Sequence, residues 1–217
     1  MPAPGSASDA VAARLAATAG VQRFPGRELA LFVHRDFLDP ANCAELIALI
    51  DTGRRPSSLV DDLGQPNFRT SETCDLPGYE ASVAAANMAI AALLGLDPAF
   101  GEPLQGQRYA VGQEFKPHTD SFDPGRADFF SHCADTGQRT WTAMVYLNAV
   151  EDGGATRFKT IGKTIQAEPG KLVAWNNLLP GGRPNAATLH QGMKVRKGTK
   201  YILTKWFRER PWPVGDR

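Results

Sequence analysis

Residues 140–150 read TWTAMVYLNAV, and four further runs of similar character lie in the second half of the chain. They are LQGQRYAV at 104–111, ATRFKTIG at 155–162, KLVAWNN at 171–177 and KYILTKWF at 200–207. Each run is rich in aliphatic, β-branched or aromatic residues, and turn-forming clusters such as EDGG, EPG and PGGRPN separate them. Short strands spaced in this way predict a sandwich or a barrel.

The first half of the chain has helical patterns instead. In the segment that begins at Asp39, this residue can cap a helix, Pro40 takes the first helical position, and Gly53 marks the end. A second, Ala-rich helix is predicted over residues 79–94, and a short helix is predicted near the N-terminus, over 8–18. Helices therefore precede the strands, which indicates an α+β fold that is mainly β.

The length is compatible with a single domain of this kind, since 217 residues is ordinary for one β barrel with helical additions. We expect residues 1–28 to form an N-terminal extension with a short helix. We expect residues 29–217 to form the domain itself, with its core at about 102–212.

Composition narrows the functional classes. Lys and Arg number 24 and Asp and Glu 23, so the formal charge of +1 gives no reason to expect nucleic acid or a membrane as partner. No apolar run approaches the roughly 20 residues that span a bilayer, and no signal peptide is recognised. The three cysteines are widely scattered, which disfavours a disulfide framework and favours a cytoplasmic location.

A metal site is indicated by KPHTD at residues 116–120. His118 and Asp120 are two residues apart, so in an extended strand both side chains lie on one face. Only four histidines exist, and His190 lies just before another predicted strand. Two histidines and one carboxylate form a facial triad, which suits non-haem Fe(II) because it leaves coordination positions open.

Lys200 begins the last β-type run, ten residues after His190 (200 − 190 = 10). It could be a surface lysine whose stem covers apolar surface. It could also be a buried cation that pairs with the distal carboxylate of 2-oxoglutarate. Alternation places Ile202 and Thr204 on the same face as Lys200, but does not decide which face is buried.

Taken together, these motifs resemble the prolyl 4-hydroxylase group of 2-oxoglutarate/Fe(II)-dependent dioxygenases over residues 30–212. The matching segments, in order, are RTS at 69–71, YAVGQEFKPHTD at 109–120, QRTWTAMVYLN at 138–148, GGATRF at 153–158, EPGKLVAWNN at 168–177 and LHQGMKVRKGTKYILTKWFRE at 189–209. The resemblance implies a double-stranded β-helix core, jelly-roll and cupin-like, with packed N-terminal helices.

The resemblance also implies a role for each matching residue. The iron ligands are His118, Asp120 and His190; the 2-oxoglutarate side is formed by Lys200, Thr156, Tyr109 and Tyr146; the substrate side is formed by Arg139, Trp206 and Arg69. Gly153 and Gly154 are expected in a turn with positive φ.

The activity implied is hydroxylation of a proline residue in a peptide or protein, coupled to decarboxylation of 2-oxoglutarate to succinate. The cofactors and co-substrates implied are Fe(II), 2-oxoglutarate, O₂ and L-ascorbate. Three alternatives remain at this point: a hydroxylase of a free amino acid or other small molecule, a non-catalytic cupin-like binding module, and a zinc hydrolase. The last has no use for Lys200 and lacks a general-base motif such as HExxH.

Overall fold

The computed structural model describes residues 4–57 and 68–213. The helices are α1 Pro4–Ala17, α2 Pro40–Gly53, α3 Ala81–Leu94 and α4 Phe129–Cys133, with 3₁₀ turns at Pro98–Phe100 and Ala186–Thr188. The strands are β1 Val21–Arg23, β2 Leu31–His34, β3 Arg55–Pro56, β4 Glu72–Asp75, β5 Gln105–Tyr109, β6 Phe115–His118, β7 Arg139–Tyr146, β8 Asp152–Gly153, β9 Thr156–Phe158, β10 Lys163–Ile165, β11 Leu172–Asn176, β12 His190–Gly192, β13 Val195–Lys197 and β14 Lys200–Arg208.

Two antiparallel sheets form the centre of the molecule. The larger has eight strands in the order β1-β2-β11-β7-β14-β5-β4-β3, and the smaller has four in the order β10-β9-β12-β6. Neighbours in both sheets are mostly distant in sequence, as in a double-stranded β-helix. The predicted fold, mainly β with a double-stranded β-helix core and few helices, is confirmed.

Helices α1, α2 and α3 cover one face of the large sheet. Asp39 caps α2 as predicted, since its Oδ1 accepts a hydrogen bond from the backbone N–H of Asn42 at 2.8 Å. Gly95 ends α3 in the left-handed region with φ 70°, a conformation that costs glycine nothing. From α1, Val11 and Leu15 join the core cluster that α2 and α3 form against the sheet.

A second apolar cluster lies between the two sheets. The large sheet contributes Tyr109, Met144 and Ile202, and the small sheet contributes Phe158 and Ile165. This inner space contains the candidate site. No helix in the described parts of the chain is long and apolar enough to cross a membrane.

Candidate active site

The three predicted metal ligands lie together between the two sheets. His118 Nε2 is 3.8 Å from Asp120 Oδ1, and the rings of His118 and His190 have centroids 4.3 Å apart. One potential ligand atom from each of the three residues falls within 4.8 Å of the others. This juxtaposition follows from strand pairing, because His190 in β12 is the register partner of His118 in β6.

Backbone carbonyls orient both imidazole rings. Nδ1 of His118 lies 2.8 Å from the carbonyl oxygen of Lys116, and Nδ1 of His190 lies 2.9 Å from that of Thr188. A carbonyl can only accept, so in each neutral ring the proton is on Nδ1 and Nε2 carries the free lone pair. This is the arrangement by which proteins commonly orient a metal-binding histidine.

Asp120 lies just beyond the strand that carries His118. β6 ends at His118, and Asp120 occupies a bend two residues later, so strand alternation alone does not account for its direction. Its Oδ2 accepts a hydrogen bond of 2.7 Å from the hydroxyl of Thr142 in β7. The carboxylate is therefore held by the large sheet.

The protonation states suit metal binding. Burial and the neighbouring His190 lower the pKa of His118 to about 3, so its ring is neutral at physiological pH. Burial alone would raise the pKa of Asp120, but His190, His118, Arg139 and the Thr142 hydrogen bond together lower it. Two imidazoles and one carboxylate on one side of a cavity fit a facial-triad metal such as Fe(II).

Aromatic rings pack around the two histidines. Phe115 stacks on His118 with ring centroids 3.6 Å apart and an interplanar angle of 17°. Phe158 and Trp175 pack against His190, with centroids at 5.4 Å and 4.9 Å. These contacts fix the rings and keep the space around the ligand atoms apolar.

Lys200 faces the same cavity and not solvent. Its side chain is fully buried, and Nζ lies 5.1 Å from the ring centroid of Tyr109 and 5.4 Å from that of Tyr146. Within residues 4–57 and 68–213 its ammonium has no hydrogen bond and no ion pair. Burial lowers the pKa of Lys200 to about 7. A buried cation without a counter-ion fits an anionic ligand group, because such an ion is otherwise costly to desolvate.

Tyr146 and Thr156 form a hydroxyl pair on this side of the cavity. The phenol of Tyr146 donates to Thr156 Oγ1 at 2.6 Å, and burial raises its pKa, so it stays protonated. Gly153 and Gly154 precede Thr156 with φ of 79° and 66°, as predicted. At Gly153 a Cβ would lie 2.1 Å from the Lys194 carbonyl oxygen, so only glycine fits there.

The fourth predicted residue on this side, Tyr109, is held by another neighbour. Its hydroxyl donates to Gln107 Oε1 at 2.8 Å, and its ring lines the cavity beside Lys200. Thr156 also lines the cavity, whereas Tyr146 lies behind Thr156, to which it is hydrogen-bonded.

The predicted substrate residues line the cavity or contact residues that line it. Arg139 makes a bidentate ion pair with Glu102, through bonds of 2.6 Å and 2.8 Å, and its guanidinium lies 4.0 Å from the ring centroid of Trp206. Trp206 lines the cavity directly. Arg69 contacts Phe115, with its guanidinium carbon 5.0 Å from the ring centroid, and burial lowers its pKa.

Several cavity residues were not predicted from the sequence. The lining also includes Gln107, Phe115, Met144, Trp175 and Gly192. Behind the lining, Asn177 was missed, and Thr142, although alternation places it on the inward face with Tyr146, was given no role. Alternation from Tyr146 and Lys200 indicates Met144, Thr142 and Thr204, whereas the position of Trp175 depends on sheet pairing that spacing does not reveal.

Comparison with known proteins agrees with this geometry. A model of the 2OG-Fe(II) oxygenase superfamily matches residues 104–208. The chain belongs to this superfamily. Within it the chain is prolyl 4-hydroxylase-like: it is 35% identical to human prolyl 4-hydroxylase subunit alpha-1 over 153 residues, and 36% identical to the chicken subunit over 145. The aligned regions cover 70% and 66% of this chain but only 28% of either relative.

Solved structures of the superfamily share the fold. A viral collagen prolyl hydroxylase from Paramecium bursaria Chlorella virus-1, in complex with 2OG, matches with 29% identity and a TM-score of 0.67, over 82% of this chain and 95% of that one. A Pseudomonas putida prolyl-4-hydroxylase matches with 21% identity and a TM-score of 0.57, over 92% and 99%. The second match bears on the fold alone.

Proposed function

We propose that this protein is a 2-oxoglutarate- and Fe(II)-dependent dioxygenase that hydroxylates a proline residue in a peptide or protein. The observation that carries the proposal is the pairing, in one cavity, of a His–Asp–His cluster with a fully buried lysine that has no counter-ion among the described residues. The first part suits Fe(II), and the second suits the distal carboxylate of 2-oxoglutarate. A zinc hydrolase or a plain binding module has no use for both.

His118, Asp120 and His190 would hold the metal through Nε2, Oδ1 and Nε2. When bound, Fe(II) supplies the activation of O₂ that is coupled to decarboxylation of 2-oxoglutarate to succinate. L-Ascorbate is the proposed supporting reductant.

Lys200 and Thr156 would anchor 2-oxoglutarate at its distal carboxylate. Nζ of Lys200 would be protonated in that complex, because the bound carboxylate restores the charge that burial disfavours. Thr156 Oγ1 accepts from Tyr146, and its own hydrogen, which points to Met144 Sδ at 3.8 Å, could turn to the anion instead. Tyr109 and Tyr146 would act as apolar walls that exclude water from this ion pair.

Two features support a peptide substrate. The indole N–H of Trp206 is buried and has no acceptor within residues 4–57 and 68–213, although its ring lines the cavity. A peptide carbonyl is a fitting partner for this donor. The relatives named above are prolyl hydroxylases, one of them a collagen prolyl hydroxylase. Arg139 and Trp206, with Arg69 behind Phe115, would orient the peptide.

We also propose residues 29–217 as one catalytic domain, with its core at about 102–212 and an N-terminal extension over 1–28. The match of the superfamily model to residues 104–208 supports this core. Helix α1 in the extension packs against the same apolar cluster as α2 and α3.

The test combines binding with turnover. Anaerobic protein with Fe(II) and 2-oxoglutarate is expected to show the weak visible charge-transfer absorption of a chelated keto acid. With O₂, ascorbate and proline-rich peptides, succinate is expected to form together with peptide that has gained one oxygen atom. Absence of the absorption band in folded, metal-loaded protein contradicts the oxygenase assignment. Succinate formation stimulated by free proline and by no peptide contradicts the peptide assignment.

A further inference from the structure

Thr142 makes the one hydrogen bond to the Asp120 carboxylate within the described parts of the chain. We infer that Thr142, oriented by Asn177, is a positioning residue that keeps Asp120 a one-oxygen ligand of the metal. The inference rests on the proposed function, since it concerns the same metal centre. It adds two residues that do not contact the metal themselves.

The two oxygens of Asp120 have different surroundings. Oδ2 accepts the 2.7 Å hydrogen bond from Thr142, whose side chain is fully buried in β7. Oδ1 lies on the side of the histidines, 3.8 Å from His118 Nε2. The carboxylate therefore presents one oxygen to the cluster, while the other is turned to the large sheet.

Asn177 determines in which direction the Thr142 hydroxyl donates. Its side-chain Nδ2 donates to Thr142 Oγ1 at 2.8 Å. An amide NH₂ group has no acceptor capacity, so the hydroxyl must accept there, and its single hydrogen remains for Asp120. The three groups form a chain of hydrogen bonds in which Asn177 donates to Thr142 and Thr142 donates to Asp120.

Asn177, at the start of this chain of hydrogen bonds, is held in place through its backbone. Asn177 is fully buried. Its backbone N–H donates to the Thr140 carbonyl at 2.8 Å, and its backbone carbonyl accepts from the N–H of Asn185 at 2.9 Å. Asp120, by contrast, lies in a bend beyond the end of β6. The fixed orientation of the carboxylate therefore comes from the sheet through Thr142 and not from the strand that carries the ligand.

This orientation has a consequence for the metal. A carboxylate that coordinates through both oxygens would occupy one of the positions that a facial triad leaves open for a bidentate co-substrate and O₂. With Oδ2 engaged by Thr142, coordination through Oδ1 alone is favoured. Hydrogen-bonding partners of metal ligands commonly contribute a factor of about 10–100 to affinity or activity.

Redox-stable Co(II) provides a test that does not depend on turnover. Thr142→Val keeps the shape of the side chain and removes the hydroxyl, and we expect it to weaken Co(II) binding about 10- to 100-fold. We also expect the visible Co(II) spectrum to change, because a second carboxylate oxygen alters the coordination number. Thr142→Ser keeps the hydroxyl and is expected to retain the Co(II) affinity and the Co(II) spectrum of the unmodified protein.

A purely structural role for Thr142 would have a different signature. It would lower the melting temperature of the metal-free protein and leave the affinity and the Co(II) spectrum unchanged. That outcome for Thr142→Val overturns the inference, and so does a Thr142→Ser protein as impaired as Thr142→Val. Asn177→Ala is expected to weaken binding about two- to tenfold, the effect of one hydrogen bond, and an unchanged affinity overturns its orienting role.

His118→Ala separates this inference from the proposed function. If His118→Ala loses Co(II) binding and Thr142→Val does not, the metal centre stands and only the inference fails. If His118→Ala binds Co(II) as the unmodified protein does, the metal centre itself is wrong, and the proposed function fails with it.

Discussion

The two ends of the cavity hold their charged groups in opposite ways. At the metal end, His118 and His190 donate to backbone carbonyls at 2.8 and 2.9 Å, and Asp120 accepts from Thr142 at 2.7 Å. At the far end, the ammonium of Lys200 has two aromatic rings beside it and no hydrogen-bonding partner within residues 4–57 and 68–213.

This difference shows what each end requires. Metal ligands must be correctly oriented before the ion binds. Hydrogen bonds from or to neighbours therefore hold the side-chain atoms that do not bind the metal. A buried cation for an anionic co-substrate must instead lack an internal partner, since a resident carboxylate would compete with the ligand. The metal ligands thus have hydrogen-bonding partners without the ion, whereas Lys200 gains a counter-ion only when the anionic ligand binds.

The strongest test of the metal end is removal of a ligand. We expect His118→Ala to abolish turnover and to weaken metal binding by more than the roughly 100-fold that loss of a supporting hydrogen bond costs. Isothermal titration with Co(II) and a succinate assay measure the two effects. His34→Ala is the matched control, because His34 lies in β2, outside the metal cluster. Equal losses in both variants would contradict the assignment.

The far end is tested by removing its charge. Lys200→Met keeps the length of the side chain, and we expect the KM for 2-oxoglutarate to rise about 100-fold, the cost of breaking a buried charge pair. Metal affinity in the absence of 2-oxoglutarate should not change. Lys197→Met, at an exposed ion pair with Glu151, is the control. A KM unaltered by Lys200→Met would show that the anion binds elsewhere.

The pH dependence of 2-oxoglutarate binding sharpens the comparison further. The pKa of Lys200 in the free protein is lowered to about 7 from its ordinary 10.5, so above pH 7 the protein must take up a proton to bind the anion. Affinity is expected to fall by up to about tenfold per pH unit above this value. Calorimetry in buffers of different ionisation enthalpy measures the proton uptake, which should be absent in Lys200→Met.

The same lowered pKa affects stability with the opposite trend. The unfolded chain binds the Lys200 proton more tightly than the folded one, so the free energy of unfolding of ligand-free protein should rise with pH from about 7 towards 10.5. In Lys200→Met this contribution disappears. Urea titrations at several pH values would reveal it, and identical pH profiles for the two proteins would argue against a lowered pKa.

The smallest expected effect concerns the hydroxyl pair beside Lys200. Tyr146→Phe removes the hydroxyl that donates to Thr156 and to the Ile165 carbonyl, and we expect the KM for 2-oxoglutarate to rise about two- to tenfold, the effect of the hydrogen bond to Thr156. Tyr201→Phe removes a phenol that contacts Asp51 at the surface and is the matched control. A large fall in kcat without a change in KM would place Tyr146 in a different role.

The sequence predicted those features that depend on local rules or on an ordered set of motifs. The cap at Asp39 follows from backbone chemistry, and the fold follows from short strands together with the family motifs. The burial of Lys200 was left open, because alternation fixes which residues share a face but not which face is inside.

The contacts that could not be predicted depend on long-range pairing. Thr142 and Asn177 contact each other across β7 and the end of β11, and reach Asp120 only after the sheet has formed. Asp120 itself is oriented by this contact rather than by the strand geometry used to predict it. Trp175 enters the cavity through the pairing of β11 with β2 and β7.

The register of His118 with His190 has a mechanical consequence. These residues are opposite each other in neighbouring strands but far apart along the chain. A metal bound to both would therefore hold β6 and β12 together. An ion that binds only the folded chain stabilises it by mass action. This stabilisation is expected mainly in the small sheet, where metal loading should slow hydrogen exchange of amides in β6 and β12 more than in β1, an edge strand of the large sheet.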